Sequence, residues 1–555
     1  MVVSPNTNQS KRPSRLLPLV LYVTIALVVL PVVVVASSLL TPSTVVWRHL
    51  AQTILPMLLG NTALLLLGVS AGTLVIGTGL AWLITAFDFP GRRQFRWMLV
   101  LPMAIPAYVM GFIYMALFDF AGPFHTFVRF TWGQDAYFPQ IRSGWGAILV
   151  MTLTLYPYVY LLAKAGFEEQ AGSNFEAAKA LGSSKLRAFF TIALPLARPS
   201  IAAGVALAAM ESLADFATVR YFNFPTVADG ILRVWHGMMD LGAASELAGL
   251  LALFSLFLLL IEHRNRGRMK YYQSRGKLPG IPVVKLGGWT AVLATLCCAL
   301  TLFAAFGLPL LQLLVWAVRE FAILTPAVMA TYWRLAVNSL TLASLAGGLV
   351  VLLALIVASL SRLSGRRTLQ NLSRLVTIGY AIPGAVIAVG ILLPLAFLDH
   401  SLNIMTSELW GFAPGLLFTG SLVGLMYAYI VRFMAIAYSS VDASMEKITP
   451  NTVLAARALG ANARRVLFDV QLPLIMPGVL AGAVLVFVDV MKELPITVMM
   501  RPMGYDTLAV WVWQMAAESL WTSTALPALI IVLVGLVPIK ILLDASSAGD
   551  KKHIG

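Results

Sequence analysis

Charge is scarce in this sequence. Only 11% of its 555 residues are Asp, Glu, Lys or Arg, against roughly 25% in a soluble globular chain. Cysteine is scarcer still: Cys297 and Cys298 stand side by side inside an apolar run, where helical neighbours do not pair easily, so no disulfide framework is expected. The six His show no HxxxH spacing, and no tightly bound metal is expected. No GxxxxGK[ST] occurs, so the chain has no P-loop for ATP. No catalytic constellation is read, and a non-enzyme is expected. The net charge of +15 comes without basic patches interleaved with aromatics, so nucleic acid is not an expected partner.

Apolar sequence is abundant. Runs of about 20 residues, long enough to cross a ~30 Å hydrocarbon core, recur along the whole chain. They predict an all-α integral membrane protein with about twelve transmembrane helices. Spans are expected near 16–40, 58–86, 97–118, 145–167, 199–219 and 245–262, then 290–318, 337–360, 373–398, 411–437, 475–495 and 524–543. The first run has the flank of a signal peptide but exceeds the usual apolar core of one, and reads as a span. The layout is a tail (1–15), a six-helix repeat (16–262) with a polar loop at 168–199, a basic linker (263–288), a second repeat (289–545) with a polar loop at 439–477, and a tail (546–555).

The halves repeat in detail. Glu176–Pro199 returns as Leu454–Pro477 at one offset of 278, with Gly182 matching Gly460, Pro195 matching Pro473 and Pro199 matching Pro477. Asn61-Thr62 matches Asn338-Ser339, Gly91-Arg92-Arg93 matches Gly365-Arg366-Arg367, Pro106 matches Pro383, and Val234-Trp235 matches Val512-Trp513. Pro106 and Pro383 are expected to kink matched spans. An even number of helices per repeat makes the halves parallel, with a pathway between them. With the N-terminus inside, about 28 of the 39 Lys and Arg fall in cytosolic segments, as the positive-inside rule requires. Both tails, the linker and both polar loops then face the cytosol, and the chain sits multi-pass in a bacterial inner membrane.

The polar loop reads as a short helix broken at Gly182, followed by a second helix over about 184–193 that Pro195 and Pro199 end. From physics alone two readings stay open: an amphipathic helix on the lipid surface, or a helix offered to another protein's groove. The spacing E-A-A, three residues, G, nine residues, I-x-L-P is carried by Glu176, Ala177, Ala178, Gly182, Ile192, Leu194 and Pro195. It resembles the signature loop of ABC-importer permeases. The resemblance implies a type I importer permease fold and an ATPase-coupling role for these residues. Their counterparts are Leu454, Ala455, Ala456, Gly460, Leu472 and Pro473. Leu454 replaces the Glu, so the two copies are unequal; the second loop reads as about seven residues longer, with Asp442 and Glu446 available as substitute charge. The run Leu213–Phe222 (LADFATVRYF), Lys492-Glu493-Leu494-Pro495 and Arg501-Pro502 make the fused form similar to bacterial ferric-iron permeases. Thiamine and aminoethylphosphonate permeases share the layout.

Inside the spans, Glu211 and Asp215 match Asp489 and Glu493 at the 278 offset, each pair on one helix face. Acids within a span are costly and face a cavity or a partner. Two readings stand: four carboxylates lining a substrate pathway, or structural pairing of Asp489 with Lys492 and of Glu211 or Asp215 with Arg220. Tyr156, Tyr158 and Tyr160 read as an interfacial aromatic belt. The resemblance implies no cofactor in this chain: ATP and Mg belong to two copies of a partner ATPase, and a periplasmic iron-binding protein delivers the substrate. An ion-gradient-driven transporter is the alternative from a different class.

Overall fold

The computed structural model describes residues 16–40, 44–170, 185–238, 240–269, 283–363, 367–446, 448–462 and 465–551. Twelve helices among them are long and apolar enough to cross a membrane. Nine lie close to their hydropathy runs. The third, ninth and tenth start about ten residues late, at Ala107, Gly384 and Leu422.

Proline explains the first two shifts. Pro106 and Pro383 do not kink spans; they start them, as the N-caps of Ala107–Phe118 and Gly384–Trp410. Proline has no N–H to lose at a helix start, and it forces the residue before it out of helical geometry. Ile105 (φ −96°, ψ 114°) and Ile382 (φ −98°, ψ 130°) are accordingly extended. The apolar residues upstream form short turns, among them Leu101–Ala104 and Arg374–Thr377.

The tenth span is late for another reason. Residues 411–421 are apolar but not helical, because Asp399 organises them as a loop. Its buried carboxylate accepts the N–H groups of Leu417 and Phe418 at 3.0 Å and of Thr419 at 2.8 Å. The tenth span, Leu422–Met445, therefore starts 278 residues after the fourth, Gly144–Glu168. The second polar loop is then no longer than the first, which corrects the expected insertion. Asp442 lies inside that span and is clamped by Arg362 at 2.6 Å, so it is not a spare charge for the loop.

The repeats interlock. The first span, Leu16–Ser38, packs on the ninth, Gly384–Trp410, in the other repeat. Tyr427 donates its hydroxyl to the Leu27 carbonyl at 2.6 Å. The Pro31 carbonyl occupies the space where a side chain at Gly390 would start, so only glycine fits there. Reciprocally, the seventh span reaches back: Tyr114 donates to the Ala304 carbonyl at 2.8 Å, and Phe112 stacks on Trp316.

The repeated Asn-Thr/Ser pair pins a loop in each half. Asn61 donates to the Pro225 carbonyl at 2.9 Å, and Thr62 accepts the N–H of Val227 at 3.0 Å. Asn338 donates to the Asp506 carbonyl at 3.0 Å, and Ser339 accepts the N–H of Leu508 at 2.8 Å. Each hydroxyl satisfies an orphan donor at the start of a helix, Val227–Met238 or Leu508–Ala517.

Candidate functional site

Leu194–Ala214 and Leu472–Lys492 are one helix in two copies, each starting at Leu-Pro and ending beside an acid. At 1.5 Å per residue each runs about 30 Å, from the polar motif to a cavity between the repeats.

Each terminal acid caps the next short helix. Asp215 accepts the N–H and the hydroxyl of Thr218, both at 2.7 Å, at the start of Ala217–Tyr221. Glu493 accepts the N–H of Ile496 at 3.1 Å and the hydroxyl of Thr497 at 3.2 Å, at the start of Pro495–Met500. A carboxylate there meets unpaired N–H groups and the positive end of the helix dipole. Asp489 pairs with Lys492 at 2.9 Å, as the structural reading has it. Arg220 does not pair with Glu211 or Asp215 among the described residues; its guanidinium lies over the Trp513 ring, 5.8 Å from the centroid. Glu211 is left with a long contact from the Tyr380 hydroxyl, 3.5 Å away in the other repeat.

All four acids nevertheless line one cavity of about 180 Å³, together with Tyr108, Tyr158, Tyr380, Arg432 and Lys492. The lining is lopsided. Tyr380, Arg432 and Lys492 belong to the second repeat, and the residues matching them in the first, Met103, Thr154 and Ala214, line the same cavity. Among the described residues no three His, Cys, Asp or Glu side chains converge as a metal cluster. Oxygen donors for a cation here must include phenols.

The tyrosines are not an interfacial belt. Tyr156 and Tyr160 are fully buried and donate to the carbonyls of Leu99 (2.8 Å) and Arg96 (2.9 Å), while Tyr158 lines the cavity. Those carbonyls lie at the end of the short helix Arg92–Met98, where intrahelical partners run out. Sequence reading also missed Tyr108, Tyr380 and Arg432 as cavity residues. The available signal was Arg432, a charge inside an apolar span, which reads as a functional site by default; hydropathy alone places it near the cytosolic end of its span.

The polar motifs sit at the opposite ends of the same helices. Glu176, Ala177, Ala178 and Gly182 lie outside the described residues, as do Gly365 and Arg366. In the second copy, Leu454, Ala455 and Ala456 lie on the helix Pro450–Ala458, which Thr449 caps. Gly460 ends it at φ +86°. Its N–H reaches the Arg457 carbonyl at 3.0 Å, and the next N–H, of Ala461, reaches that of Ala456 at 3.0 Å. This paired closure needs a left-handed residue, which is why glycine stands at that point of the motif. Leu454 is 59% and Leu459 89% exposed, an apolar edge offered to something outside the chain.

Ile192, Leu194 and Pro195 do not lie at a break. Lys185–Ala188 runs through a π-turn, Phe189–Ala193, straight into Leu194–Ala214. The second copy does the same through Val466–Gln471 before Leu472-Pro473. Proline's ring clashes with the carbonyl four residues back and its missing N–H leaves that carbonyl free; a widened turn relieves both. The prolines thus widen one continuous helix rather than ending it. Gln170 donates to the Ala193 carbonyl at 2.9 Å, tying the turn to the fourth span.

Against the reading of no catalytic pattern, Gly68-Val69-Ser70-Ala71-Gly72 has the GxSxG spacing. It lies mid-helix in Leu55–Ala86, not at a strand–helix elbow. Side chains at Gly68 and Gly72 would start 2.6 Å from Ile148 and Thr152, so the glycines serve close packing on the fourth span.

A two-repeat, twelve-span helical chain with a polar cavity at the repeat junction is a membrane transport permease. Residues 73–262 and 350–549 each match the family described as binding-protein-dependent transport system inner membrane component, and the chain belongs to that family. Its fold is that of a type I ABC permease with both repeats fused, a multi-pass inner-membrane protein. The chain is similar to the Fe(3+)-transport system permease protein FbpB 2 of Haemophilus influenzae, 26% identical over 87% of this chain and 89% of that protein. It is similar to the ferric transport system permease protein FbpB of Actinobacillus pleuropneumoniae, 23% identical over 71% of this chain and 57% of that one. The sulfate transport system permease protein CysT of Salmonella typhimurium is 30% identical over 33% of this chain and 67% of its own length.

Proposed function

We propose that this permease carries ferric iron from a periplasmic binding protein into the cytoplasm, by alternating access driven by two partner ATPase subunits. The observation that carries the reading is the near full-length similarity to a relative named for Fe(3+) transport, taken with a cavity whose donors are carboxylates and phenols from both repeats. Ferric iron is a hard cation suited to oxygen ligands. Asp215 and Glu493 are occupied as helix caps and Asp489 by Lys492, which makes the cavity a place of weak passage rather than a cage.

Both termini face the cytosol in this reading, with the N-terminal tail, linker and polar loops. The ATPases hold the loops through Glu176, Ala177, Ala178, Gly182, Ile192, Leu194 and Pro195 on one side, and Leu454, Ala455, Ala456, Gly460, Leu472 and Pro473 on the other. ATP and Mg bind to those subunits. Their closure moves two roughly 30 Å helices, whose far ends carry Glu211, Asp215, Asp489 and Glu493 at the cavity. The test is reconstitution in liposomes with the ATPase and the iron-loaded binding protein. Uptake of iron that requires ATP and the binding protein is expected; uptake driven by a proton gradient alone overturns the reading.

A further inference from the structure

Arg432 is 9% exposed and lines the cavity. One of its terminal nitrogens donates to the carbonyls of Tyr380 (3.2 Å) and Ile382. Its other N–H groups have no partner among the described residues, and no carboxylate there pairs with it. A buried guanidinium without a counter-ion is expensive to maintain, and its planar fork suits an oxyanion. Lys492 adds a second positive charge to the same lining, already half-neutralised by Asp489.

Tyr380 stands between this cation and the least partnered acid. Its ring lies beneath the Arg432 guanidinium, 5.7 Å from centroid to carbon, and its hydroxyl points to Glu211 at 3.5 Å. Tyr158 is within electrostatic reach of Glu211, Tyr380 and Arg432. Nearby, Tyr108 is 5% exposed and lines the cavity with a buried hydroxyl that has no partner among the described residues. The cavity therefore has an anionic oxygen-rich side and a cationic side, joined by one tyrosine.

We propose that the cavity is a two-part site in which Arg432 holds a small oxyanion of the phosphate, sulfate or carbonate class while Glu211 and the phenols of Tyr158 and Tyr380 face the metal ion that travels with it. The inference rests on the iron reading for the identity of the metal, but the oxyanion half stands on Arg432 alone. A bound anion neutralises the buried guanidinium and part of the charge of a trivalent cation at once, so the pair crosses a low-dielectric region more readily than either ion singly. Ligand held between Glu211 and Arg432 also spans both repeats.

The test uses the permease with its ATPase subunits in lipid nanodiscs, in oxyanion-free buffer. Radiolabelled inorganic phosphate and sulfate are the binding probes. Saturable binding of either to the wild-type complex is expected, with a matching rise in its unfolding temperature. Arg432→Gln should weaken that binding by about 10–100-fold, the range for a lost hydrogen-bonded charge. Arg432→Lys, which keeps the charge and loses the fork, should fall between. Glu211→Gln should move the other way, binding phosphate more tightly and taking up less iron. No saturable binding of either probe to the wild type, or equal affinity in Arg432→Gln, overturns the inference. Where Arg432→Gln does not purify, the wild-type binding and the Lys variant decide. Iron uptake in proteoliposomes that is indifferent to phosphate, sulfate and bicarbonate overturns the two-part site and leaves iron import standing. Oxyanion uptake without iron supports the Arg432 subsite and overturns iron as cargo.

Discussion

The two repeats agree where backbone must be held and differ where something must be met. Asp215 and Glu493 cap equivalent short helices, and Asn61-Thr62 and Asn338-Ser339 anchor equivalent loops. Pro106 and Pro383 start equivalent spans. Around the cavity the agreement stops: Thr154 stands where the other half has Arg432, Ala214 where it has Lys492, and Met103 where it has Tyr380. Duplication supplied a frame with twofold character, and the lining departed from it. A chain with both halves fused can do this, because each half is encoded separately and a change in one is not copied into the other.

The sharpest way to break this comparison is to exchange its unequal positions. Thr154→Arg combined with Arg432→Thr moves the guanidinium across the pseudo-axis. If the halves are interchangeable, iron uptake survives. We expect a loss of about 100-fold or more, since Arg432 leaves its two backbone carbonyls and its place beside Tyr380. Replacing Glu211, Asp215, Asp489 and Glu493 together by amides tests the acids as a set; iron uptake should fall at least about tenfold, with ATPase activity retained. Unchanged uptake would return these acids to a purely structural role.

Smaller effects sharpen the equal positions. Asp215→Ala and Glu493→Ala should each cost about 1 kcal/mol as lost caps, read as a drop in unfolding temperature, and the Asn and Gln variants much less. A large difference between the two would show that one repeat depends on its cap more. Gly460→Ala places a side chain at φ +86° and should cost about 1 kcal/mol, with weaker coupling of ATP hydrolysis to transport. The least expected effect is at the unequal motif position. Leu454→Glu should alter coupling slightly, and Glu176→Leu more; equal tolerance would mean that the difference has no consequence.

Much of this was legible in the sequence. The 278-residue offset carried both polar motifs and the four acids, and twelve spans followed from composition. Hydropathy failed where it could not see hydrogen bonding. It ran spans through Pro106 and Pro383, although a missing N–H makes each a starting point, and through 411–421, which Asp399 folds as a loop. It put Tyr156 and Tyr160 at an interface, whereas carbonyls left over at Arg96 and Leu99 drew their hydroxyls inward. Arg432 was visible as a lone charge, but only the packing of Tyr380 and Ile382 around it showed which way it faces.

The interlocked first spans have a consequence for biogenesis. Leu16–Ser38 emerges from the ribosome first, yet the surface it covers, Gly384–Trp410, is made about 350 residues later. At roughly 5–20 residues per second it waits about 20–70 s in the bilayer before its docking partner exists. The earliest helix to enter the membrane is thus among the last to be seated. A nascent chain stalled before residue 384 would hold a complete set of first-repeat spans and still leave Pro31 without Gly390 to close on.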